Sequence, residues 1–154
     1  MSYKPDLSDP GPVKGVGYLW FGHSYPKGKV DLVVLDRLVT LAEKPFLVAC
    51  GYHKCNLGFC GATQIFREEP VFRYRGRRVV LGSSDIVVPV DEVVYYAPNL
   101  ILHYIRHHRY RPPECFCAAV LKCPAPRSAE HTERIKRIAP KLILGSPAEN
   151  ERAV

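Results

Sequence analysis

Histidine and cysteine fall in two clusters whose spacing suits metal chemistry. Residues 51–60, Gly51-Tyr-His-Lys-Cys-Asn-Leu-Gly-Phe-Cys60, carry His53, Cys55 and Cys60. Residues 103–107, His103-Tyr-Ile-Arg-His107, carry two imidazoles four positions apart. Four positions are about one helical turn, so both rings would leave one face of a helix. Thiolates and imidazoles in tetrahedral array are donors that Zn²⁺ binds well. The expectation is a Cys₂His₂ zinc site made by Cys55, Cys60, His103 and His107, with His53 as a substitute ligand. Four protein ligands close the coordination sphere and leave no water to activate, which favours a structural ion. With Cys60 out of reach, three ligands and a water would open a route to hydrolysis instead.

The competing account makes these residues ordinary: buried cysteines that pack as small hydrophobes and helix histidines satisfied by hydrogen bonds. Two clusters, each internally spaced for chelation, favour the metal. The other candidates are weaker. Cys115 and Cys117 would stand about 200° apart on a helix and cannot jointly chelate. Cys50 reads as a strand residue, Cys123 as packing or an exposed thiol, His108 as core-facing or hydrogen-bonded, His131 as part of a tail, and His23 as a turn residue beside Ser24.

Other chemistries leave little trace. There is no Gly-rich phosphate loop, no Gly-x-Ser-x-Gly, no His-Glu-x-x-His and no zinc-deaminase signature. A nucleophilic pair of Cys55 with a helix histidine lacks a recognisable oxyanion hole. Nothing sets Asp85 opposite Asp91 and Glu92. The run Arg73, Tyr74, Arg75, Arg77 and Arg78 mixes cations with an aromatic, the composition of a nucleic-acid-contacting loop. The same composition also keeps hairpin tips soluble.

These residues need a frame. The 154 residues, 47% of them hydrophobic, can bury a core without disulfides. Six cysteines, no apolar run behind Met1, and no stretch near the ~20 apolar residues of a membrane span lead to the expectation of a cytoplasmic protein without membrane contact. A net charge of +7 favours anionic partners, although basic stretches are more often solvated surface.

Residues 1–14 read as irregular and residues 16–21 as a strand. Leu32, Leu35, Leu38, Val39 and Ala42 recur at helical spacing within 30–43, and Pro45 stops that helix. A β-like run over 46–50 leads into the His/Cys loop. Short strands follow at 63–66, 71–75, 78–81, 85–88 and 93–96, punctuated by Gly76, Gly82 and Pro89, with 74–78 as a hairpin tip. A second helix should run from Pro98 to about Arg109, and a third through Phe116, Cys117, Val120 and Leu121. After Cys123 the composition turns basic and Pro-containing. Residues 128–138 suit a short helix capped by Ser128, but carry too little apolar surface to fold alone. The expected fold is α+β: a small antiparallel sheet of short strands with two or three packed helices, zinc-stabilised, over residues 1–123, with 124–154 as a tail.

Tyr3-Lys-Pro-Asp-Leu-Ser8, Val16-Gly-Tyr-Leu-Trp20, Gly51-Tyr-His-Lys-Cys55, Val94-Tyr-Tyr-Ala-Pro-Asn-Leu100 and the run from His103 to Pro113, followed by Phe116, Ala119 and Val120, resemble a family of small uncharacterised bacterial proteins over roughly residues 3–122. In that family the loop generally looks like His-x-Cys-x-x-Cys. Here four residues, Asn56 to Phe59, separate the two cysteines, and Gly58 eases the longer turn. The resemblance implies no activity. The function read from the sequence is therefore a non-enzymatic zinc-binding module with a binding or regulatory role, of the immunity or accessory kind that holds a protein partner. The alternatives are a metal-dependent hydrolase or nuclease using the same Cys/His site, and a nucleic-acid binder working through the 73–78 tip.

Overall fold

The computed structural model describes residues 2–48, 52–58, 60 and 70–144. The strand expected at 63–66 lies outside them. Among the described residues six strands are formed: β1 (Val13–Gly15), β2 (Leu47–Val48), β3 (Val71–Tyr74), β4 (Arg77–Val80), β5 (Ser84–Val90) and β6 (Val93–Pro98). The helices are α1 (Leu32–Glu43), α2 (Ile101–His108), α3 (Glu114–Lys122), α4 (Ala129–Ile138) and the single turn α5 (Lys141–Leu144). The α+β class holds. The sheet is mixed rather than purely antiparallel: its order is β1-β6-β5-β2, with β1 parallel to β6 and the other pairs antiparallel, and β3-β4 form a separate hairpin. The strand expected at 16–21 forms earlier, at 13–15, where Val94 donates to the Pro12 carbonyl and Val16 to the Tyr96 carbonyl.

Both faces of β5 are covered. Ile86, Val88 and Val90 join the main core with Val34 and Leu38 of α1 and Phe116 and Val120 of α3. Val87 points the other way, into a cluster with Val94 and with Ile135 of α4. Alternate strand residues face opposite sides, so α1 and α3 lie on one face and α4 on the other. Residues 129–138, expected as a short capped helix within a tail, form that helix, and it covers one side of the sheet. Ser128 caps it by accepting from the His131 amide. Pro89, expected to end a strand, sits inside β5. Its partner Val94 directs its own N–H towards Pro12 at the start of β1, so position 89 faces the edge beyond two-residue β2, where no amide is needed.

The amino-terminal segment is irregular, as expected, but it is tied down. Asp6 accepts from the Gly17 amide at 2.8 Å and from the Tyr110 hydroxyl at 2.7 Å. Asp9 accepts from Lys4 at 2.7 Å and from the Gly15 amide at 2.8 Å.

Candidate metal centre

Helix α2 starts at Ile101, three residues after the expected Pro98, because Pro98 still belongs to β6. It ends at His108, where Arg109 takes a left-handed conformation with φ of 54° and its amide returns to the Tyr104 carbonyl. Around the helix axis, Ile101, Tyr104, Ile105 and His108 share one side, and His103 leaves from a different one. His103 is nevertheless buried, 5% exposed, because the loop carrying the two cysteines lies over it.

Cys60 Sγ stands 3.1 Å from His103 Nε2, and Cys55 Sγ stands 3.3 Å from His108 Nε2. The donor atoms of Cys55, Cys60, His103 and His108 all lie within 4.8 Å of one another. A tetrahedron with Zn–S near 2.3 Å and Zn–N near 2.0–2.1 Å has edges of about 3.3–3.8 Å. Four donors gathered this closely, two sulfurs and two nitrogens, could hold a metal ion, and the donor chemistry fits zinc.

Three of the four residues expected from the sequence, Cys55, Cys60 and His103, are brought together. His107 lies outside this close set. Its ring packs at 4.9 Å from that of His103, but it is exposed, whereas His108 is half-buried on the side where Cys55 sits. The expectation rested on two rings sharing one face; the thiols instead approach between two rings about 140° apart around the axis. The signal for His108 was its place at the centre of the apolar face, where an imidazole needs a partner. The His53 side chain is exposed and outside the set; its backbone amide donates to the Gly82 carbonyl at 2.7 Å.

Burial governs the protonation of the group. It pushes His103 down to about 4, helped by the neighbouring His107 and His108. His108 is also lowered, by burial and then by His107 and Lys27. Both rings are therefore neutral at pH 7, the form in which imidazole binds metals. Burial pushes the Cys55 thiol up to about 11, with Cys60 adding to the effect, while the Leu57 amide opposes it. An ion at the centre would reverse that, since it binds the thiolate.

The remaining candidates are dispersed. Cys115 is exposed, Cys117 is half-buried beside the Pro112 carbonyl, and Cys123 is buried. The 73–78 stretch is a hairpin tip as expected, with Arg75 and Gly76 both at positive φ, the requirement of the two-residue turn. The Tyr74 and Arg77 side chains are engaged. Tyr74 is buried and stacks on Phe72, and Arg77 grips Glu43 through two bonds of 3.0 and 2.6 Å and also reaches Thr40. Arg73, Arg75 and Arg78 remain exposed.

Residues 1–121 match the domain of unknown function DUF7919. The chain belongs to that family. The DUF7919 match takes in both cysteines, all of α2 and most of α3, and it ends before α4. No curated protein and no solved structure matches the chain. No helix among the described residues is long and apolar enough to cross a membrane.

Proposed function

We propose that this DUF7919 protein is a zinc-binding module in which Cys55, Cys60, His103 and His108 hold one structural ion, and that it works by binding a protein partner rather than by catalysis. The observation that carries the reading is the convergence of two thiols and two neutral imidazoles, from segments more than forty residues apart, on one buried point. When bound there, zinc would supply a cross-link between the loop at 52–60 and α2. Four protein donors fill its coordination shell, so no water is left to be activated. A regulatory or immunity-like role is the sense in which such a module would act. The positive net charge directs it towards an acidic surface on the partner.

Protein produced without a histidine tag should contain about one zinc per chain. Replacing zinc by Co²⁺ should give the absorption of a four-coordinate S₂N₂ site, unchanged by azide or phosphate. Absence of bound metal would refute the zinc assignment. A cobalt spectrum that shifts with added anions would show an open position and favour hydrolysis.

A further inference from the structure

We infer that Gly82 and Asn99 are positioning residues of the Cys/His centre, holding the thiol loop against the imidazole helix before any ion binds. The inference rests on the site proposed above and concerns how that site is pre-assembled.

The loop that carries Cys55 is docked two residues earlier, at His53. The His53 amide donates to the Gly82 carbonyl at 2.7 Å. Gly82 has φ of +90°, and a Cβ there would lie 2.3 Å from the His53 carbonyl oxygen. Only glycine allows this approach, both for backbone conformation and for space. Gly82 is fixed in turn from the other side, since its amide donates to Asn99 Oδ1 at 2.7 Å.

Asn99 is 1% exposed and all its polar atoms are used. Nδ2 donates to the Val80 carbonyl at 2.9 Å and to Ser84 Oγ at 2.8 Å. The Asn99 amide donates to the Ser84 carbonyl at 2.9 Å, and its carbonyl accepts from Leu102 in the first turn of α2 at 3.2 Å. One buried amide thus joins the β4–β5 turn to the start of the helix bearing His103 and His108. The chain of contacts Cys55–His53–Gly82–Asn99–α2 contains no metal. It sets the two halves of the centre in register, and it gives His53 a role through its backbone rather than as a ligand.

The test uses the full chain, stripped of metal by chelation, with iodoacetamide labelling located by mass spectrometry and zinc affinity measured by competition with a chromogenic chelator. In Gly82→Ala, labelling of Cys55 and Cys60 should rise about tenfold, while Cys123, buried outside the Cys/His group, stays within about twofold of wild type. Zinc affinity should fall about 10–100-fold, the usual effect of losing an outer-shell support. Ser84→Ala removes one bond to Asn99 and should raise Cys55 labelling about threefold. His53→Ala, which keeps the backbone contact, should match wild type in both readouts. Wild-type labelling in Gly82→Ala and Ser84→Ala would overturn the inference. An equal rise at Cys123 would also overturn it, since Gly82 would then support the whole fold rather than this loop. If the wild type binds no zinc, the metal reading fails, and the labelling of the metal-free chain alone decides the positioning role.

Discussion

His107 and His108 are adjacent in sequence and differ in placement. The exposed ring of His107 rests against His103, while His108 meets the Cys55 sulfur. His108→Ala, His103→Ala and Cys55→Ser should each lose the bound metal, and His107→Ala should keep it, as read by metal content after desalting. For a site held near a thousand times its dissociation constant, the metal contributes about 4 kcal/mol. The three ligand variants should therefore melt about 10 °C below wild type in zinc, with His107→Ala within a few degrees. Residue types and spacing pointed to Cys55, Cys60 and His103 and to a metal between the two segments. They did not single out His108, because four-residue spacing describes rings that leave one face together, whereas a loop passing along a helix can gather rings from two sides.

Among the elements, α4 shows how local chemistry can conceal a tertiary role. Half of its ten residues are charged, and only Ile135 and His131 are deeply buried. His131 Nε2 lies 2.9 Å from the Val87 carbonyl, and its Nδ1 accepts from the Arg127 amide at 3.4 Å. These partners define a neutral ring that donates from Nε2. Val87 opposes Tyr96, whose carbonyl is taken by Val16 on the far side. The Val87 carbonyl therefore faces the edge of β5 beyond β2, and His131 satisfies it there. His131→Ala should cost about 2–4 kcal/mol in a denaturant titration, through an orphaned carbonyl and a cavity beside Phe46. No loss would show that α4 is not fastened to the sheet.

The helical periods of α1, α2 and α3, the β3–β4 hairpin and the Ser128 cap were readable from sequence, because each is a local pattern. The parallel pairing of β1 with β6 was not, since it joins residues some eighty positions apart. The second buried face of β5 was written in the run Ile86-Val-Val-Pro-Val90, which is apolar without alternation and so signals a strand covered on both sides.

For the molecule as a whole, titration of buried groups sets the response to acid. The buried or half-buried His103, His108 and His131 are all lowered, with burial as the main cause in each. A histidine lowered on folding contributes stability that is complete above its unfolded value near 6.5 and is lost as pH falls towards the folded value. Burial raises Asp85 to about 6, which has the opposite effect: its ionisation costs stability as pH rises from about 4 through 6. Three groups outweigh one, so the metal-free protein should lose stability steadily from pH 6.5 to 4 in thermal melts. Asp85→Asn should be the more stable form above pH 6, by about 1–2 kcal/mol after allowance for solvent screening, and the difference should vanish near pH 4. Stability independent of pH over this range would contradict the neutral, buried histidines.

The most direct test of the metal centre is X-ray absorption at the zinc edge on the protein purified without a tag. Two sulfurs at about 2.3 Å and two imidazole nitrogens at about 2.0–2.1 Å are predicted, with the bound zinc lost in His108→Ala and the same four-ligand shell kept in His107→Ala. Zinc absent from the protein, or surrounded only by oxygen and nitrogen, would contradict the account.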